Sequence, residues 1–210
     1  MNYIPIVLKE NHQNIVCIGQ GPMILEKIEK FKVFTNHLIF LCTNRQQINI
    51  EHCEKIAIEP YEWQSYLDDL KPRIVIQAGL DDSIKMNIYQ YCLQHQIEIN
   101  TVDEPSLCTF TMPVLFEKGK LNISVSTSGA SPMMSKLLMK QFEQQLPEAI
   151  DEILDWFYYI RKNIKPRLQI TFQEWKVLQQ IICEKVMCLN RILTEEELNE
   201  LLKPYKNRCD

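Results

Sequence analysis

Short apolar runs alternate with stretches of helical periodicity through the first half of the chain. Runs typical of buried strands occupy 14–18, 37–42, 73–77 and 97–102, with a weaker one at 55–58. Between them, apolar residues recur at helical spacing over 22–34, 61–70 and 84–94. Strands that alternate with helices predict a parallel, doubly wound sheet, so we expect an α/β, Rossmann-like domain over residues 1–112.

The pattern changes in the second half. Residues 121–126 alternate apolar with polar positions, as a half-solvated strand does, and a polar turn and a helix over 132–145 follow. Ser131 is placed as the N-cap of that helix and Pro132 as its first residue. From 148 to 210 the spacing is helical, with a capping box at Thr194. We therefore expect a small α+β segment over 113–147 and a C-terminal helical domain over 148–210.

Composition narrows the class of partner and the compartment. The net charge is −4, which offers no basic field for a phosphate backbone, so nucleic acid is excluded as the main partner. Apolar runs such as 38–42 are far shorter than the roughly 20 residues of a membrane span, which predicts no membrane insertion. Residues 1–8 lack the pattern of a signal peptide, so we expect a cytoplasmic protein.

The cysteines and histidines do not predict a metal centre. The chain has 8 cysteines, and no pair has the C-x-x-C spacing of zinc or redox sites. Cys17, Cys42 and Cys92 lie inside apolar segments and are expected to be small buried side chains. The 4 histidines are scattered without ligand spacing. No protein-bound metal is expected.

Two of the 5 glycines, Gly19 and Gly21, follow the first strand and precede a helix. In that position the first glycine permits a tight turn, and the second lets the backbone approach a pyrophosphate at the helix N-terminus. The match to G-x-G-x-x-G is incomplete, since Ile24 stands at the third glycine position. A dinucleotide site would include Gly19, Gly21, Pro22 and Met23; a plain turn that binds nothing is the alternative.

The end of the second strand carries the other cofactor prediction. An Asp or Glu commonly holds the ribose hydroxyls there, and this chain has Thr43 and Asn44 instead. Both could bond the ribose of NAD. Arg45 could accept a 2′-phosphate, so the choice between NAD and NADP stays open.

The segment 100–132 has the most specific pattern. It resembles the precorrin-2 dehydrogenase/sirohydrochlorin ferrochelatase family, the N-terminal module of fused siroheme synthases. The matching positions are Asn100, Val102, Asp103, Pro105, Phe110, Pro113, Ser126, Thr127, Gly129, Ser131 and Pro132. The resemblance extends to Lys27 and to the helical end around 155–161. The chain departs from the family at Gln20 and Pro22, which interrupt a G-G-G loop, and at 77–82, which carries a one-residue insertion.

This resemblance implies a function. It implies NAD-dependent oxidation of precorrin-2, a carboxylate-rich tetrapyrrole, to sirohydrochlorin in siroheme biosynthesis, with Fe²⁺ as a further substrate if the chain also inserts iron. It also implies a homodimer joined through the segment 113–147. A version that oxidises without inserting iron, and a degenerate relative that binds a tetrapyrrole or nucleotide without turnover, remain alternatives.

The resemblance and the residue pattern together select candidate site residues. Asp103 follows an apolar strand at the carboxyl edge of the sheet, where the family places its key aspartate, and is the candidate base. Capping of the turn before Pro105 is the alternative. Ser126, Thr127, Ser128 and Gly129 precede a helix N-terminus, a position that favours substrate carboxylates. Ordinary capping of that helix is the alternative there.

Overall fold

A computed structural model describes residues 4–9, 13–32, 34–43 and 50–206. The chain forms two compact units, and the first ends at Met112 while the second begins at Pro113. The further division of the second unit at residue 147 stays a prediction.

The first unit is an α/β domain with a parallel sheet. Its elements are β1 (Ile15–Gly19), α1 (Pro22–Phe31), β2 (Leu38–Cys42), β3 (Glu54–Ala57), α2 (Trp63–Leu70), β4 (Ile74–Ala78), α3 (Asp82–Gln94) and β5 (Glu98–Thr101). The strand order is β3-β2-β1-β4-β5, and every neighbouring pair is parallel. The Rossmann-like fold that the alternation predicted is confirmed.

The sheet is buried on both faces because its central strands are almost wholly apolar. Val16, Ile18 and Val75 face a cluster that includes the buried faces of α2 and α3. The alternate positions, such as Cys17 and Ile76, face α1 on the other side. The strand order reverses between β1 and β4, and in such sheets the crevice at the carboxyl ends beside that reversal is where ligands bind.

The second unit combines a hairpin with helices. It contains β6 (Val114–Lys118), β7 (Leu121–Val125), α4 (Pro132–Gln145), α5 (Ile150–Tyr159), α6 (Phe172–Leu189) and α7 (Glu195–Lys206). The strands β6 and β7 pair antiparallel, and α4 packs against both of them. A π-helical turn, Ile160–Ile164, follows α5.

The local predictions for this unit are confirmed, with one omission. Ser131 caps α4 by accepting a hydrogen bond from the Met134 amide, and Thr194 and Glu197 form the reciprocal bonds of a capping box. The hydrophobic pattern did not predict β6. Its alternation is broken by Leu115, an apolar side chain on the solvent-facing side of the strand that is 43% exposed. Across the described residues, no helix is long and apolar enough to span a membrane.

Candidate functional site

The loop between β1 and α1 is locked to the end of β4 by a glycine. Gly19 has a φ of 137°, and a Cβ there would lie 1.8 Å from the carbonyl oxygen of Ala78. The next residue, Gln20, donates its amide to that same carbonyl at 3.2 Å. Any side chain at Gly19 would therefore push β1 and β4 apart, and the tight turn that the sequence predicted here is a requirement of the sheet itself.

Gly21 has a different role. Its φ is 81° and its ψ is −178°, a conformation open mainly to glycine, yet a Cβ there would meet nothing within 4 Å. It is the N-cap of α1, and because a glycine has no side chain, it forms no side-chain hydrogen bond to the first amides of the helix. Pro22 follows at the first helical position, where a missing N–H is tolerated. The loop thus leaves open space in front of a helix N-terminus, which favours an anion.

Thr43 supplies an unsatisfied polar group beside this loop. Its amide donates to the Gly19 carbonyl at 3.2 Å, which fixes the end of β2 next to the end of β1. Its Oγ1 atom is buried and has no hydrogen-bond partner within the described part of the chain. A buried hydroxyl without a partner is costly, and a ligand hydroxyl would satisfy it. The open cradle at Gly21 and the orphaned Thr43 Oγ1 fit the pyrophosphate and ribose of NAD(P). Asn44 lies outside the described residues.

Asp103 lies on the turn that follows β5, at the same carboxyl edge of the sheet. It has a φ of 65°, the left-handed region that Asp adopts more readily than most residues. Its side chain is exposed, and within the described ranges its carboxylate makes no hydrogen bond or ion pair. The turn Pro105–Leu107 has Glu104 at its cap position, without a side-chain capping bond. The carboxylate of Asp103 is therefore not used in capping this turn.

The loop that carries Asp103 is fastened by the sulfur of Cys108. Cys108 Sγ accepts from the Thr101 amide at 3.2 Å and lies 3.2 Å and 3.3 Å from the carbonyl oxygens of Thr101 and Glu104. Burial raises the pKa of this thiol, so it stays protonated and can donate to those carbonyls. Asn100 donates to the carbonyl of Phe110 at 3.0 Å and holds the returning chain against β5.

A second set of bonds ties this loop to β4 and α3. The buried Gln77 amide donates to the Thr101 hydroxyl at 2.8 Å and to the Lys85 carbonyl at 3.0 Å. Thr101 in turn donates to the Leu107 carbonyl at 2.8 Å. The Lys85 ammonium forms ion pairs with Glu104 and, at 2.8 Å, with Asp82.

The turn between β4 and α3 also touches the glycine loop. Gly79 has a φ of 67°, and a Cβ there would lie 2.2 Å from the carbonyl oxygen of Gln20. The stretch 77–85 therefore contacts the glycine loop at one end and the Asp103 loop at the other. It includes the turn in which the sequence departs from the family pattern.

The polar turn of the second unit is largely satisfied by its own groups. Thr127 Oγ1 donates to the Ser131 carbonyl at 3.0 Å and accepts from the Ser131 amide at 3.1 Å. Ser126 Oγ accepts from the Ser128 amide at 3.2 Å. Ser128 and Gly129 are exposed with φ of 52° and 83°. Capping accounts for Thr127 and Ser131, while Ser128 and Gly129 present the turn to solvent.

Within the ranges that the structure describes, no group of three or more His, Cys, Asp or Glu side chains could hold a metal ion. Cys17, Cys42 and Cys92 are buried, as their apolar surroundings predicted, and form no disulfides.

A known protein family matches the part of the chain that contains this edge of the sheet. Residues 6–114, more than half of the chain, match the family described as "Putative NAD(P)-binding". The chain belongs to this NAD(P)-binding family. The open cradle at Gly21 and the unsatisfied Thr43 hydroxyl lie within the matched residues.

Relatives of known name extend the likeness to nearly the whole chain. The chain is 28% identical to a siroheme synthase of Nitrosospira multiformis, over 98% of this chain and 47% of that protein. It is 24% identical to a siroheme synthase of Buchnera aphidicola, over 97% of this chain and 43% of that protein. The chain thus spans less than half the length of these relatives. The family resemblance read from 100–132 is confirmed.

A solved structure shares the fold. The structure described as SirC, precorrin-2 dehydrogenase, superimposes with a TM-score of 0.67 at 17% identity, covering 96% of this chain and 98% of that one. This supports the architecture of both units.

The structure brings only some of the predicted residues together. Gly19 and Thr43 are joined by a hydrogen bond at the adjoining ends of β1 and β2, Gly21 lies two residues further along the same loop, and Asp103 lies at the same edge after β5. The supporting residues of the Asp103 loop were missed, namely Gln77, Lys85, Glu104 and Cys108. One signal was available: Gln77 is a polar residue in an otherwise apolar strand.

Proposed function

We propose that this chain oxidises precorrin-2 to sirohydrochlorin with NAD(P) as the oxidant. The observation that carries the proposal is that one edge of the sheet holds both a place for a cofactor and a candidate base. An open cradle for an anion lies at Gly21, and beside it lies the Thr43 hydroxyl, which has no hydrogen-bond partner among the described residues. The Asp103 carboxylate likewise makes no hydrogen bond or ion pair within those residues. The siroheme synthases supply the substrate class, since they match almost the entire chain.

In the proposed reaction, the residues at the sheet edge have separate roles in cofactor binding and proton transfer. NAD(P), when bound, accepts the hydride that precorrin-2 loses. The N-terminus of α1 at Gly21, Pro22 and Met23 would hold the pyrophosphate of the cofactor, and Thr43 Oγ1 would bond a ribose hydroxyl. Asp103, exposed and without a partner in the described chain, takes the proton that leaves the substrate together with the hydride.

Two further parts of the proposal concern the second unit. The exposed turn before α4, formed by Ser126, Thr127, Ser128 and Gly129, binds substrate carboxylates, with Thr127 holding the shape of the turn through its bonds to Ser131. The chain forms a homodimer through 113–147, because α4 exposes apolar side chains that water disfavours. These are Met133, Met134, Leu137 and Phe142, which are 46% to 64% exposed. We expect the protein in the cytosol, and Fe²⁺ is a second substrate only if the same site also inserts iron.

The test is anaerobic turnover of precorrin-2 by the purified protein, with NAD and with NADP in separate reactions. Formation of the reduced nicotinamide together with the sirohydrochlorin spectrum is the expected result, and the faster reaction identifies the cofactor. Asp103→Asn should lower kcat by about a hundredfold or more, since a general base contributes that much. Asn also tolerates the left-handed backbone, so the variant should fold normally.

Two other results would contradict the proposal. Tetrapyrrole binding without reduction of either nucleotide would support the alternative of a binding protein without turnover. Unchanged kinetics in Asp103→Asn would remove this residue from the reaction, whatever the activity of the wild type.

A further inference from the structure

We propose that Lys85 is a positioning residue for the reaction: through its ion pair with Glu104, it holds the Asp103 loop in its left-handed conformation. The inference rests on the proposed function, because it assigns Lys85 a role through Asp103. Its structural half, the ordering of the loop, can be tested without any turnover.

The geometry begins with the position of Lys85. It lies in the first turns of α3, and only 13% of its side chain is exposed. Its ammonium contacts Asp82 Oδ1 at 2.8 Å and a carboxylate oxygen of Glu104, the residue directly after Asp103. The hydrogen bond to Asp82, followed by that to Glu104, raises the pKa of Lys85 above its usual value. The ammonium therefore stays charged throughout the physiological range.

The backbone of Lys85 is itself held by a hydrogen bond from Gln77. The Gln77 side chain is fully buried, and its amide nitrogen bonds both the Lys85 carbonyl and the Thr101 hydroxyl. Thr101 precedes the Asp103 loop, and its hydroxyl donates a hydrogen bond to the carbonyl of Leu107 at the far end of that loop. Gln77 thus anchors the start of the Asp103 loop at Thr101. It also anchors the part of α3 from which the Lys85 side chain reaches Glu104, in the middle of that loop.

The Asp103 loop needs this support because the Asp103 side chain forms no stabilising bond to the described residues. Asp103 is exposed, has a φ of 65°, and has no hydrogen bond or ion pair in the described ranges. Asp adopts that conformation more readily than most residues, but the conformation still costs free energy that contacts from neighbouring residues offset. Without Lys85, the ion pair that ties Glu104 to α3 is lost, and a carboxylate without this partner is left next to Asp103.

Cofactor binding should be independent of this ion pair. The other end of the β4–α3 turn contacts the glycine loop through Gly79 and through the hydrogen bond from Gln20 to Ala78. Neither contact involves the Lys85 side chain. A loss of Lys85 should therefore lower kcat and leave the Kd of the nucleotide unchanged, whereas general damage to the domain would change both.

The experiment compares Lys85→Met and Lys85→Arg with Lys30→Met, which removes an exposed helix ion pair to Glu26 as a matched control. Lys85→Met should lower kcat by about tenfold to a hundredfold, the cost of misplacing a reacting group by about 1 Å. It should also speed amide hydrogen exchange over 102–107, with the Kd of NAD(P) unchanged. Lys85→Arg should restore both kcat and exchange, and Lys30→Met should change none of these.

A double-mutant cycle separates positioning from a general effect. If Lys85 acts through Asp103, adding Lys85→Met to Asp103→Asn should cost no further kcat. Full additivity of the two substitutions, or unchanged exchange over 102–107, would overturn the inference. If Asp103→Asn alone keeps full activity, the catalytic role of Asp103 fails, and the exchange data still decide whether Lys85 orders the loop.

Discussion

Replacing Gly21 by alanine should separate cofactor binding from folding. The added Cβ meets nothing within 4 Å, so no atom of the protein has to move. The cost lies in the backbone, because φ 81° and ψ −178° form a region that alanine strongly disfavours. Strain of about 1–3 kcal/mol, less about 0.4–1 kcal/mol gained by restricting the unfolded chain, leaves a net loss between about 0 and 2.6 kcal/mol. For a unit of about this size, each kcal/mol lost lowers Tm by about 4–8 °C.

In the proposed cofactor site, the same Cβ would stand where the pyrophosphate approaches the N-terminus of α1. We therefore expect the Kd of NAD or NADP, measured by isothermal titration calorimetry well below the Tm, to rise by about tenfold or more, which is about 1.4 kcal/mol of binding free energy. Gly129→Ala is the matched control. Gly129 also has a positive φ, 83°, and also has nothing within 4 Å of an added Cβ, but it belongs to the second unit.

Gly129→Ala also places an alanine at a positive φ, and it should bind the nucleotide normally. Gly19→Ala is the opposite extreme, because its Cβ would lie 1.8 Å from the Ala78 carbonyl oxygen and the domain should fail to fold. A folded Gly21→Ala protein with wild-type nucleotide affinity would refute the assignment of this loop to the pyrophosphate.

Two further predictions concern single groups. Thr43→Val keeps the shape of the side chain and removes a buried hydroxyl without a partner, so the ligand-free protein should become more stable by about 1 kcal/mol. Its nucleotide affinity should fall, and calorimetry that showed both properties unchanged would remove Thr43 from the site. The bonds from Arg191, and then from the Thr194 amide, lower the pKa of Glu197 to about 2 from an ordinary 4.5. A carboxyl with a depressed folded-state pKa stabilises the protein above its unfolded pKa, so thermal melts should show a wild-type advantage over Glu197→Gln at pH 7 that disappears between about pH 4.5 and pH 2; an advantage that persists at pH 2 would contradict this.

The order of elements in the first unit could be predicted from the sequence because its signals are local. Runs such as 14–18 and 73–77 are buried on both faces, so each is apolar along its whole length and stands out from the helices. Gly19 and Gly21 could be placed for the same reason, since the loop directly follows a strand. The distinct tasks of these glycines could not be predicted, because the group that excludes a side chain at Gly19 belongs to Ala78, far along the chain.

The support of the Asp103 loop escaped prediction because it consists of contacts between distant residues. Lys85 and Glu104 are separated by 19 positions, and Gln77 and Thr101 by 24. Nothing in the local pattern of α3 distinguishes Lys85 from a solvated lysine. The resemblance to a family identified Asp103 but carried no information on what holds it, since that depends on which strands are neighbours. The adjacency of β4 and β5 is what brings these residues together.

The departures of this chain from the family loop are compatible with nucleotide binding. Gln20 uses its amide to bond Ala78, and its side chain is exposed to solvent. Pro22 occupies the one helical position where an N–H is least needed. The third glycine of the usual motif allows close packing of helix on strand, and here Ile24 fills that interface and is completely buried. The cradle at Gly21 therefore survives each change, as the proposed binding of the cofactor requires.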